Sequence, residues 1–297
     1  MDISINQPTD WKAVSIVQLI FFILLMIAFI IITILQLRKG IKISSIRGFV
    51  IFLIIFQLAK IVGGITGLIL LDSSKFNQNV FIATYICDSI SYGFITRSIS
   101  SLVQHMLKPE QEFKNHQDNQ TINSNGTLPT YDMENQKFES NNNYHQTNEN
   151  IYKINETKIN KKSPFYLITI IILAAVICNI YAMSNLAGDS TPDDTTKTLI
   201  KVSAILFLIG MILLIFASIF VIFTRPEHRK SCQILIITLF ILITRSIYSL
   251  ISGFNGINFN QPNQYMLIFG KPKYYGCLAL LPEGIAGILV MILFYHW

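Results

Sequence analysis

Residues 51–71 read IFLIIFQLAKIVGGITGLILL, twenty-one residues with a single charge, Lys60. A stretch of this length spans a hydrocarbon layer of ~30 Å when helical. Lipid offers the backbone no hydrogen-bond partner, so the stretch must be a helix. Six more runs of this kind flank it. The spans are expected at 14–37, 48–71, 79–106, 164–186, 199–224, 232–254 and 276–296.

This pattern predicts an all-α, polytopic seven-transmembrane-helix bundle forming one membrane domain. Residues 1–106 hold spans one to three, 107–163 a long connection, and 164–297 spans four to seven. The composition agrees: 52% of residues are hydrophobic and only 13% charged, where a soluble protein carries about a quarter charged. The net charge of +6 does not point to nucleic acid, because the basic residues mostly flank apolar runs. Cys87, Cys178, Cys232 and Cys277 show no metal-ligand spacing and read as packing residues. The first run lacks a small-residue cleavage site and is expected to stay as a span.

Lys and Arg set the expected direction. Arg38, Lys39, Lys42 and Arg47 follow span one, Arg225, Arg229 and Lys230 follow span five, and seven lysines lie in 107–163. That side carries fourteen basic residues and the other six. The basic side is expected to be cytoplasmic, the N-terminus outside or lumenal and the C-terminus inside, in the plasma membrane or an endomembrane. Residues 107–163, with twelve asparagines and few large apolar residues, are expected to be a disordered cytoplasmic loop. Their sequons at Asn119, Asn125 and Asn155 would then stay bare; glycans there would invert the topology.

Two octapeptides, ITRSISSL at 95–102 and ITRSIYSL at 243–250, each place an arginine inside a span. Direction separates them. Arg97 falls near the inner interface, roughly 25 Å into span three, where its stem can snorkel. Arg245 falls in the outer half of span six, so the likeness is coincidence.

A different correspondence carries more. Spans two and six run the same way. Lys60 is followed by Gly64 and Gly67, and Arg245 by Ser249 and Ser252, each one basic residue above two small ones on one helix face. Small residues permit close helix approach, and Gly63 to Gly67 is also a GxxxG. Spans three and seven likewise run together and carry Asp88 and Glu283. This predicts parallel repeats arranged three plus one plus three.

Lys60, Asp88, Arg245 and Glu283 then share one slab, roughly 10–16 Å below the outer surface. A lone charge there costs at least about 2.5–3.5 kcal/mol, and four about 10 kcal/mol. They must pair or line a wet cavity. The sequence does not assign the pairs; Arg245 with Glu283 and Lys60 with Asp88 is the simplest choice. The pairs either fix helix register or line a polar cavity open to the outer leaflet, to which Ser89, Ser91, Tyr92, Tyr248 and Ser249 would add donors and acceptors. Pro282 is the expected hinge, since it removes a helix hydrogen bond beside Glu283.

His105, His228 and His296 fall toward one side, as in zinc-dependent intramembrane amide hydrolases, but show no HxxxH or HExxH spacing. No Walker, GxSxG or GxGxxG context occurs. Neither an enzyme nor a metal or other cofactor is expected. A G-protein-coupled receptor fits the span count, but there is no acid–Arg–Tyr after span three, no NPxxY, and only RPEHRKS between spans five and six.

TRSIYSLISGFNG and YYGCLALLPEGIAGILVMILFYHW, in the last third, resemble the closing helices of fungal seven-helix proteins of the lipid-translocating exporter, or resistance-to-aminocholesterol, type, and of a sister group. Arg245, Tyr248 and Glu283 match the residues these families carry. Leu250 and Ile251 stand where they often have an acid, and the long inner loop is atypical. The resemblance implies handling of lipid-like molecules at the bilayer. The leading expectation is therefore translocation of a lipid or small amphiphile through a cavity around Lys60, Asp88, Tyr92, Arg245, Tyr248, Ser249 and Glu283. A sensor signalling through 107–163 is the alternative, and a zinc-dependent lipid hydrolase the third. The partners are the bilayer and the amphiphile; substrate, organelle and oligomeric state are open.

Overall fold

The computed structural model describes residues 8–39, 43–73, 76–107, 164–186, 192–257 and 262–296. These form seven long helices and no strand. They are α1 (Pro8–Arg38), α2 (Ile43–Asp72), α3 (Gln78–Leu107), α4 (Pro164–Asn185), α5 (Asp194–Thr224), α6 (Arg229–Asn255) and α7 (Pro272–Tyr295). Contacts divide the chain into two units, Met1–Leu107 with Leu167–Trp297, and Lys108–Tyr166. Of the second unit only residues 164–166, at the start of α4, are described. Apart from Leu107, which ends α3, the segment expected as a disordered loop and its three sequons lie outside the described residues.

All helices but α3 are long and apolar enough to cross a membrane, six in total. Their outward faces are greasy: Ile16, Ile20, Leu24, Ile27, Ile31 and Ile34 make an exposed stripe along α1. An apolar surface this extensive marks a lipid-facing protein.

The thirty-residue α3 is the least apolar because it is the most enclosed. Sixteen of its residues are buried, Asp88, Ser91, Tyr92, Thr96 and Ser98 among them. It contributes no large apolar side chain to the exposed surface. A helix ringed by other helices finds its polar partners inside the protein rather than needing an apolar coat.

α5 starts earlier than its apolar run implies, because a cap extends it. Asp193 precedes α5 with φ −66° and ψ 167°, and its carboxylate accepts the Thr196 N–H at 2.7 Å. That bond satisfies an orphan donor of the first turn, so the polar stretch DTTKT joins the helix. A hydrogen bond from the Thr196 hydroxyl, and next this N–H, hold the Asp193 carboxyl below the usual carboxylate range. Asn77 caps α3, its Oδ1 accepting from the Asn79 and Val80 N–H groups at 3.1 and 3.4 Å.

The two ends of the bundle are closed differently. At the end where α1 begins, residues 262–271 fold over the helices. The Gly270 N–H donates to Met266 O at 2.7 Å, the Lys271 N–H to Gln264 O at 2.9 Å, and Trp11 Nε1 to Gly270 O at 3.0 Å. Met266, Leu267, Ile268 and Phe269 are all buried by this fold-back. Two residues fix it. Gly270 has no room for a Cβ, which would lie 2.4 Å from Gln264 O. Ile268 adopts φ +68°, a left-handed conformation that is costly for a β-branched side chain. At the other end, Phe29, Phe49 and Phe294 pack against one another with ring centroids 5.3 to 6.4 Å apart.

Candidate functional site

The four charged residues foreseen at one level come together there. Lys60 lies twelve residues before Asp72, Asp88 ten after Gln78, Arg245 ten before Asn255 and Glu283 eleven after Pro272. At 1.5 Å per residue each sits about 15–18 Å from the same end of the bundle.

They form a closed circuit of alternating charge. Lys60 Nζ meets Asp88 Oδ1 at 2.6 Å and also pairs with Glu283 Oε2. Arg245 Nη2 meets Asp88 Oδ2 at 2.5 Å, and Arg245 Nε meets Glu283 Oε1 at 2.9 Å. Each carboxylate therefore gives one oxygen to each cation. The pairs read from the sequence, Arg245–Glu283 and Lys60–Asp88, are both present, and two crossed pairs close the ring. Lys60 and Glu283 have no exposed surface and Arg245 is 4% exposed. Charges this deep are held by pairing, and removing one of them would strand its partners.

Neutral groups brace the ring. Tyr275 Oη donates to Asp88 Oδ1 at 2.8 Å and lies 3.2 Å from Gln18 Oε1. Gln18 Nε2 donates to the Lys60 carbonyl at 2.9 Å. Arg245 Nη1 donates to Ser249 Oγ at 2.5 Å. The guanidinium carbon lies 5.4 Å from the Tyr92 ring centre and 5.5 Å from that of Tyr248, two cation–π contacts. Tyr92 Oη bonds Ser246 Oγ, and Tyr248 Oη donates to the Tyr265 carbonyl at 2.9 Å.

The cavity differs from the expected one. One pocket of about 30 Å³ lies beside Asp88 and Arg245, with Tyr92, Tyr248, Ser249 and Asn179 in its wall. A second, of about 10 Å³, lies between Gln18, Gly63, Tyr275 and Asp88. Both are water-sized, so neither admits an amphiphile in this conformation. Lys60 and Glu283, expected to line the cavity, stand behind Asp88 and Arg245 instead. Close packing of α1 seals them off: a Cβ on Gly284 would lie 2.9 Å from the Phe21 ring, and one on Gly287 3.0 Å from Leu25. Asp88 borders both pockets and is the ring member between them.

The repeat likeness stops short of the small residues. Gly64 and Gly67 pack on Leu19 and Ser15 of α1, whereas Ser249 and Ser252 face the larger pocket. The irregularity expected at Pro282 appears one turn earlier. Gly276–Leu280 forms a π turn in which the Leu281 N–H reaches back to Gly276 O. Arg97 sits apart from the ring, half-buried, donating to Thr169 Oγ1 at 2.6 Å with its guanidinium 5.3 Å from the Phe52 ring. Among the described residues no three His, Cys, Asp or Glu side chains group to hold a metal ion.

Sequence reasoning missed Tyr275, Gln18 and Asn179, and also Tyr85, which lines the larger pocket. Gln18 and Asn179 carried a signal: each is an isolated amide in an apolar run, and such residues look inward.

The fold and this buried circuit define a multi-pass helical membrane protein with an intramembrane ion-pair network. The chain belongs to the family described as domain of unknown function (DUF7702), whose model matches residues 9–125 and 142–295 and so takes in every member of the ring. No curated protein and no solved structure matches it.

Proposed function

We propose that the protein is a seven-span carrier that moves a lipid or small amphiphile across its membrane, with the ring as the centre that opens and recloses during passage. The observation that carries this reading is the closed circuit between two aromatic plugs. Trp11, Phe81, Phe269 and Tyr275 lie on one side of it, and Phe29, Phe49 and Phe294 on the other. Ionisable groups this deep in a membrane point by default to a functional pathway. A ring shut on both sides is what an occluded carrier needs, since each charge can exchange one partner for another without standing alone.

The ring also supports the three-plus-one-plus-three arrangement. α2 and α3 supply a base and then an acid, and so do α6 and α7. Carriers built from parallel repeats place their sites at such junctions. The fourteen-to-six distribution of basic residues supports an N-terminus outside or lumenal. The resemblance of the last third to lipid-translocating fungal proteins supports an amphiphilic cargo.

The test is transbilayer movement of a short-chain fluorescent lipid in proteoliposomes, read by quenching from outside. The wild type is expected to accelerate movement. Arg245→Gln is expected to lose it, and so is the charge-balanced Asp88→Asn/Arg245→Gln, chosen because it strands no charge. Movement at the wild-type rate in the folded double variant contradicts the proposal.

A further inference from the structure

The larger pocket holds polar groups that the ring leaves unused. Asn179 of α4 is 8% exposed, and its Oδ1 has no hydrogen-bond partner among the described residues. Native proteins seldom leave a buried polar atom so. Arg245 lines the same pocket. A guanidinium has five N–H groups, and three are bonded, to Glu283, Ser249 and Asp88. The pocket therefore offers one bare acceptor and spare donors within about 30 Å³, room for roughly two waters or one small head group. On the α5 side its wall carries the apolar Ile200, Ala204 and Phe207 beside Ser203, whose hydroxyl is already spent on the Ala175 carbonyl.

Charge selects among ligands. Every ring member already has two opposite partners, so the circuit is neutral. A carboxylate entering the pocket would face Asp88 with no free cation to meet it. An ammonium would stand beside the Arg245 guanidinium with no free carboxylate. An uncharged group that both donates and accepts meets neither obstacle.

We propose that this pocket binds the uncharged hydroxyl head of an amphiphile, the hydroxyl donating to Asn179 Oδ1 and accepting from Arg245, and that the apolar tail runs along Ile200, Ala204 and Phe207 once the carrier opens there. The inference rests on the carrier reading and names the head group of its cargo.

The test uses the full-length protein in nanodiscs and a diazirine-bearing octanol as photolabel, with labelled peptides mapped by mass spectrometry. Labelling is expected within 200–207 and to be competed by excess 1-octanol. Octyl methyl ether has the same tail but cannot donate to Asn179, and is expected to compete about fivefold less well, as one lost hydrogen bond dictates. Asn179→Leu is expected to lose the distinction between alcohol and ether. Three results overturn the proposal: no saturable labelling, which leaves waters only; ether competing as well as alcohol; or octylamine or octanoate competing better than octanol. All are read on the wild type, so they stand whether or not Asn179→Leu folds. The readout is binding, so it can fail while lipid movement persists, or hold while movement is absent.

Discussion

Tyr248 touches Arg245 with its ring and Tyr265 with its hydroxyl: the guanidinium carbon is 5.5 Å from its ring centre, and its Oη donates to the Tyr265 carbonyl at 2.9 Å. One side chain thus ties the charged circuit to the segment covering the bundle's end.

Tyr248→Phe is expected to cut this tie while keeping the ring contact. Hydrogen exchange over 262–271 should rise several-fold, while global stability falls by about 1 kcal/mol, the worth of one hydrogen bond. Tyr92→Phe, which loses only the bond to Ser246, should leave exchange in that segment unchanged.

Gly270→Ala tests the cover from its own backbone. The new Cβ would lie 2.4 Å from Gln264 O, and backbone cannot step aside as a flexible side chain can. Thermal unfolding in detergent should shift down by more than it does for Gly276→Ala, where nothing lies within 4 Å of the added carbon. Equal shifts would mean that the fold-back is loose.

Lys60→Met is expected to cost about 3–5 kcal/mol, because it strands two buried carboxylates on Arg245 alone. Adding Glu283→Gln restores the charge balance and should recover most of the loss. A double-mutant cycle by thermal unfolding checks this; additive losses would show that the two side chains are not coupled.

Much of this was legible in the sequence. Lys60 in an apolar run announced both a span and a buried charge, and common depth picked out its three counterparts. The crossed pairs Lys60–Glu283 and Arg245–Asp88 were not legible, because depth along a helix says nothing of its bearing. Tyr275 escaped for a local reason. Eight residues separate it from Glu283, about 80° off one face in a regular helix, but the π turn at Gly276–Leu280 takes up one residue and turns both toward the ring. The early start of α5 was hidden because a cap, not hydropathy, sets it.

The Asp193 cap gives a pH dependence. Hydrogen bonds from the Thr196 hydroxyl and N–H lower the pKa of its carboxyl, so the unfolded chain binds its proton more readily than the folded one. The stability it adds is present above the ordinary carboxylate pKa of about 4 and is lost as pH falls through the lowered folded value. The difference in stability between wild type and Asp193→Ala should thus be constant at neutral pH and shrink in acid. A difference that grows in acid would reverse the sign of this account.

The most direct test of the central claim asks whether the ring's surroundings open to both sides of the membrane. With Cys87, Cys178, Cys232 and Cys277 replaced by serine, a single cysteine at Ser252, in the wall of the larger pocket, is exposed to an impermeant thiol reagent on either side of proteoliposomes of known orientation. The account predicts slow labelling from each side, with added amphiphile changing the ratio between the two. Labelling from one side only, unmoved by amphiphile, would contradict it.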